Sequence, residues 1–133
     1  FAAIRKGESD GLQIYIVAAD GKNVRRVPRD PEGASQPAWS PDGTRLAFTA
    51  YTAGPKQQDI HVIGVDGTGE QRLTDAPGDD TEPKWSPDGR RLVFVSSRAP
   101  SGGSEIFVMN ADGSEPRNLT KNPAQDAHPA WAK

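Results

Sequence analysis

The chain has 133 residues, 34% apolar and 26% charged, a balance that suits one folded domain with a single compact core. A formal net charge of -2 removes the basic surface on which nonspecific nucleic-acid binding depends, and the lack of cysteine excludes a disulfide framework, a thiolate metal site and a thiol nucleophile. No apolar run approaches the roughly 20 residues that a membrane-crossing helix needs, so no membrane insertion is expected.

In chain order, the first predicted strand is FAAI at residues 1–4, which aligns with residues 47–50, and the loop RKGESDG follows. The chain opens on Phe1 and not on Met, the trace that a removed upstream segment would leave. Further along, PAWS predicts a short strand and PDG a tight reversal, with Pro presetting φ and Gly taking a positive φ. RLAFTA then predicts a second strand, DIHVIGV a third and EQRLT a fourth, the last two joined by the turn Asp66-Gly67. The same order returns with a fixed period: Trp39, Trp85 and Trp131 stand 46 residues apart, as do Ile14, Ile60 and Ile106, Pro37, Pro83 and Pro129, and the pairs Asp20-Gly21, Asp66-Gly67 and Asp112-Gly113. A period near this length marks propeller blades or solenoid units, and strands rich in β-branched and aromatic residues favour the propeller. Each period reads as a four-stranded antiparallel meander that must stack on its neighbours to bury both faces.

The strings IFVMNADGSEPRNLT and WSPDGRRLVFVSSR resemble the TolB-like β-propeller repeat, a WD-like blade, over nearly the whole chain. The resemblance implies an all-β fold of four-stranded blades, commonly six in a ring. It does not fix an activity, because propellers host many functions. With strands lettered a to d from the axis outward, strands b, c and d of blade one fall at residues 1–30, blade two at 36–75, blade three at 82–120 and a terminal strand a at 128–133, twelve strands in all. Both ends would then expose unpaired edges. The expectation is a homodimer in which each terminal strand a joins its partner's b-c-d sheet and two chains close six blades; the alternative is a piece of a longer propeller.

The a-b and c-d turns are uniform, whereas the b-c and d-a loops diverge, and variable loops on a rigid scaffold are where binding residues usually lie. Just ahead of the repeated proline stand Gln36, Glu82 and His128, with Asp80 and Asp126 two residues before the latter two. At a channel mouth these five could grip a cation, a carboxylate ligand or a partner peptide; the alternative is that they are solvated or cap the start of strand a. No cofactor is expected, and if a metal bound there the oxygen-rich loops would suit Ca²⁺ better than structural zinc.

Other candidates carry less. The aspartates of PDG and DG are expected to accept backbone N–H bonds in their turns. GESDG at residues 7–11 matches the nucleophile-elbow pattern, but Ser9 falls in a loop of an all-β unit, where that strand-to-helix geometry has no place. His61, at a repeat position filled elsewhere by Tyr15 and Phe107, reads as a packing or edge residue. Arg25, Arg26, Arg72, Arg90, Arg91 and Arg117 read as charges that blunt edge-to-edge aggregation. The expected function is a noncatalytic scaffold that binds a protein or peptide in a bacterial periplasmic or extracellular setting. The alternatives are the propeller domain of a larger prolyl-oligopeptidase-like hydrolase and a polysaccharide lyase working in the channel.

Overall fold

The computed structural model describes residues 2–6, 12–27, 33–51, 57–100 and 102–132, and the fold is all-β. Blade one consists of β1 (Ala2–Lys6), β2 (Leu12–Ile16) and β3 (Arg25–Arg26). Blade two adds an inner strand, running β4 (Ala34–Trp39), β5 (Arg45–Tyr51), β6 (Gln58–Gly64) and β7 (Gln71–Arg72). Blade three repeats it as β8 (Asp80–Trp85), β9 (Arg91–Ser96), β10 (Glu105–Asn110) and β11 (Arg117–Asn118). In each sheet the strands lie in chain order and pair antiparallel, so each blade is a simple meander.

Blade two is apolar on both faces, as a sheet between two neighbours must be. Leu46, Phe48, Ala50 and Ile63 pack toward blade one with Ile14, Val27 and Ala34, and the alternate residues Ala47, Ile60 and Val62 pack toward blade three with Trp85, Leu92, Phe94, Phe107 and Met109. Two seams therefore replace a single central core. Removing a side chain such as Phe48 or Phe94 from water contributes roughly 1.5–3 kcal/mol, which makes these seams the main support of the fold.

The turn sequences behave as their chemistry dictates. Gly43 and Gly89 donate their N–H to the Ser40 and Ser86 carbonyls, while Gly21, Gly67 and Gly113 close the c-d turns onto Ala18, Gly64 and Asn110. At Gly113, with φ of 87°, a Cβ would lie 2.7 Å from the Leu73 carbonyl oxygen, so this turn of blade three docks on the outer edge of blade two only because the residue is glycine.

Two expectations need correction. The alignment of FAAI with residues 47–50 is out by one: Ala2 pairs with Ile16 and Ile4 with Ile14, as Ala47 pairs with Val62 and Thr49 with Ile60. Pairing across the hairpin sets the register, and a slip of one residue would turn every apolar side chain to the wrong face. The inner strands also begin earlier than expected, at Ala34 and Asp80, so Gln36 and Glu82 belong to strands and not to loops. Residues 127–132, most of the expected terminal strand a, pair with no strand within the chain, and the described residues hold eleven strands.

Candidate functional site

Gln36, Glu82 and His128 all hold positive φ, at 52°, 55° and 55°, which is uncommon for residues with a Cβ. In β4 and β8 the cause is a bulge, where the register with the neighbouring strand shifts between Ser35 and Ala38 and again between Thr81 and Lys84. The bulge turns the side chain along the rim instead of into the seam. Gln36 Oε1 accepts from the Thr49 hydroxyl at 2.8 Å and from the backbone N–H of Glu82, one blade further on, at 3.1 Å. Glu82 Oε2 in turn accepts the backbone N–H of His128 at 2.9 Å and lies 3.0 Å from His128 Nδ1. Each blade thus caps the strained residue of the next, and the bonds offset a backbone cost of order 1–3 kcal/mol per residue.

These three residues line, with Lys84 and Pro129, an open cleft of about 360 Å³. Glu82 and Lys84 bring opposite charges to it, and the His128 imidazole stands 87% exposed at its edge. The remaining two candidates do not join them. Asp80 is fully buried and ion-paired with Arg98, whose guanidinium also stacks 5.1 Å from the Phe107 ring centre. Burial raises the Asp80 carboxyl above its ordinary range, opposed by the Ser96 hydroxyl and by the Arg98 charge. Asp126 instead accepts from the Asn122 side chain at 2.9 Å and donates its N–H to the Ser104 carbonyl, fastening the loop that follows β11. Among the described residues no three of His, Cys, Asp and Glu come together as a metal cage.

The other singled-out residues are engaged in structure. Asp42, Asp66, Asp88 and Asp112 each accept hydrogen bonds inside their turns, and the Ser40 hydroxyl at 2.5 Å, with the Thr44 N–H and hydroxyl, holds the Asp42 carboxyl down to about 2. His61 is buried against Phe48 with its Nδ1 3.0 Å from Glu70. Ser9 lies outside the described residues.

Sequence reasoning missed a clip between strands c and d that recurs in every blade. Arg26 donates to Gln13 at 3.3 Å, Arg72 pairs with the buried Asp59 at 3.0 Å, and Asn118 donates to the buried Glu105. Arg25, for its part, donates to the Val65 carbonyl of the next blade. Arg25, Arg26 and Arg72 are therefore fasteners; the signal was the polar residue kept at positions 13, 59 and 105 of an otherwise apolar strand.

Comparison with known proteins places this geometry in context. The chain is 50% identical over 42 residues to a TolB homolog of Chlorobium luteolum, covering 32% of this chain and 10% of that one. It is 40% identical over 48 residues to the uncharacterized peptidase YuxL of Bacillus subtilis, covering 36% of this chain and 7% of that one. The chain thus matches a tenth or less of the length of these relatives. The solved structure of a TolB from Agrobacterium tumefaciens, itself described as putative, superposes with a TM-score of 0.79 at 30% identity, over 91% of this chain and 42% of that one. The TolB beta propeller domain family matches residues 8–133, and the chain belongs to that family.

Proposed function

We propose that the chain is a noncatalytic propeller scaffold that binds a protein or peptide partner at its inner-strand rim. The observation that carries this reading is the run of Gln36, Glu82 and His128, three strained residues with side chains directed along one open cleft. Strain of this kind persists where surrounding structure enforces it, and it clusters at ligand clamps and switch regions. A cleft that offers an amide, a carboxylate, an ammonium and an imidazole suits the mixed donors and acceptors of a polypeptide better than an apolar ligand. The likeness to TolB proteins supports a bacterial periplasmic or extracellular location. Two copies of the chain complete a six-bladed ring around the rim.

The test is capture from a bacterial periplasmic extract by the immobilised chain. A Glu82→Ala, His128→Ala double variant is expected to lose the captured partner, and equal recovery by variant and wild type would count against the rim. A second reading, a propeller domain serving a larger hydrolase, is favoured by the match to YuxL. On the first reading the chain alone cleaves neither peptide nor polyuronide substrates, and any turnover abolished by substitutions at the rim would reverse the order of the two.

A further inference from the structure

Blades two and three pair strands b and c in the same register, yet one place on the loop side is filled in blade two and open in blade three. In blade two, Arg72 of β7 pairs with the buried Asp59 at 3.0 Å and donates its Nε–H to the Thr74 carbonyl at 2.7 Å. Gln57 closes the same place, its Nε2 lying 3.3 Å from both Asp59 Oδ1 and the Ala76 carbonyl. One period on, Glu105 stands for Asp59, Asn118 for Arg72 and Gly103 for Gln57. The acid is kept, while both long side chains that reach it are cut short. Asn118 donates its amide to Glu105 as Arg72 donates its guanidinium to Asp59, but it brings no charge and fills less space.

The outcome is a cavity of about 330 Å³ between the b-c and d-a loops, with the buried Glu105 at its floor, Pro100 and Pro123 in its walls and the exposed Lys121 at its rim. Its walls are fixed by bonds between and within the loops. Asp126 donates its N–H to the Ser104 carbonyl at 2.7 Å, and the Asn122 side chain bonds Asp126 at 2.9 Å and accepts the Ala124 N–H at 2.8 Å. A Cβ on Gly103 would lie 2.8 Å from the Ala124 carbonyl oxygen, so the two loops close on each other only because the residue is glycine. The described lining comes from blade three alone. Glu105 stands on the same side of β10 as Phe107, which packs in the seam with blade two, so a following blade would lie against the opposite side of the sheet.

We infer that this cavity binds an arginine that carries a carboxylate, with the ligand guanidinium taking against Glu105 the place that Arg72 takes against Asp59. A carboxylate has acceptor sites for several donors, so Glu105 can receive a planar guanidinium beside the Asn118 amide. Lys121 stands where blade two has Asp75, which sets a cation at the mouth of a cavity with an anionic floor. A ligand that meets both has its guanidinium at one end and its carboxylate at the other, with an alkyl stem between them that suits the proline walls. Free arginine and the C-terminal arginine of a peptide share this chemistry, and the size falls in the range of small-ligand sites.

Calorimetric titration of the chain tests the assignment. L-Arginine is expected to bind, and L-citrulline, which exchanges the guanidinium for a neutral urea, to bind at least about tenfold more weakly. Asn118→Arg places the blade-two side chain in the cavity and is expected to abolish arginine binding with an unchanged circular dichroism spectrum. Glu105→Gln, a near-isosteric change, is expected to weaken arginine about tenfold and gives an independent reading should the first variant fold poorly. Lys121→Ala should weaken arginine but leave agmatine, its decarboxylated analogue, unaffected. A short peptide ending in arginine distinguishes the two sources: binding as tight as that of the free amino acid identifies a peptide C-terminus, and binding of arginine alone identifies the amino acid. No arginine binding, equal binding of citrulline, or full binding by folded Asn118→Arg or Glu105→Gln would each overturn the inference. The Glu82→Ala, His128→Ala double variant keeps arginine binding if the site is this cavity, and its loss there would move the ligand to the rim and overturn the assignment.

Discussion

The seam between blades two and three and the seam between blades one and two are built from equivalent residues, yet only the first is complete. In the complete seam Trp85 is buried at 7% exposure and bonded to the preceding inner strand, the Gly113 turn sits on Leu73, and Gln36 caps Glu82. In the other, Leu46, Phe48 and Ile63 bury as well as their counterparts do, but the Trp39 indole N–H meets no acceptor among the described residues. Apolar packing between blades therefore proceeds without the inner strand of the preceding blade. The tryptophan bond of a seam needs the inner strand of the blade before it, whereas the Arg25 bond to the Val65 carbonyl does not.

Substitutions can break this contrast by degrees. Trp85→Ala removes a large side chain from the complete seam and is expected to cost about 3–5 kcal/mol in denaturant unfolding, while Trp39→Ala costs visibly less in dilute solution. Asp80→Ala leaves Arg98 largely buried without its partner and is expected to cost about 3 kcal/mol by the same measurement, because a broken buried ion pair forfeits more than the intact pair contributed. A finer contrast comes from deleting the indole N–H alone. Trp85→Phe should lower stability by about 1 kcal/mol, whereas Trp39→Phe, which removes an N–H with no acceptor among the described residues, should cost less by the same measurement.

The smallest effect lies in the turns. The Asp42 carboxyl titrates at about 2 in the folded chain against an ordinary value of 3.8. The unfolded chain thus binds more protons between those values, so the turn's contribution is full above about pH 3.8 and is lost as the pH falls toward 2. Asp42→Asn is expected to flatten the stability curve in that acid window, lowering stability near neutrality and leaving it unchanged at the acid end near pH 2, as thermal melts across the range would record.

What could be read in the sequence was what is local. The 46-residue spacing of the tryptophans, the PDG and DG turns and the alternation in RLAFTA depend on neighbours in the chain, and all of them describe the folded blades. The register of β1 was lost because the first b-c loop is one residue shorter, a difference that only pairing across the hairpin reveals. Of the five rim candidates, Gln36, Glu82 and His128 do line one cleft, but the bulge that aims two of them was invisible: positive φ at a glutamine or a glutamate has no signature in composition. Asp80 looked like a loop acid because its partner Arg98 stands 18 residues away, on the far side of β9.

The central claim is that the inner-strand rim, where Gln36, Glu82 and His128 line one cleft, holds a protein or peptide partner, and recovery of a partner by the immobilised chain tests it most directly. Loss of the captured partner in the Glu82→Ala, His128→Ala double variant is the expected result. Equal recovery by variant and wild type would contradict it.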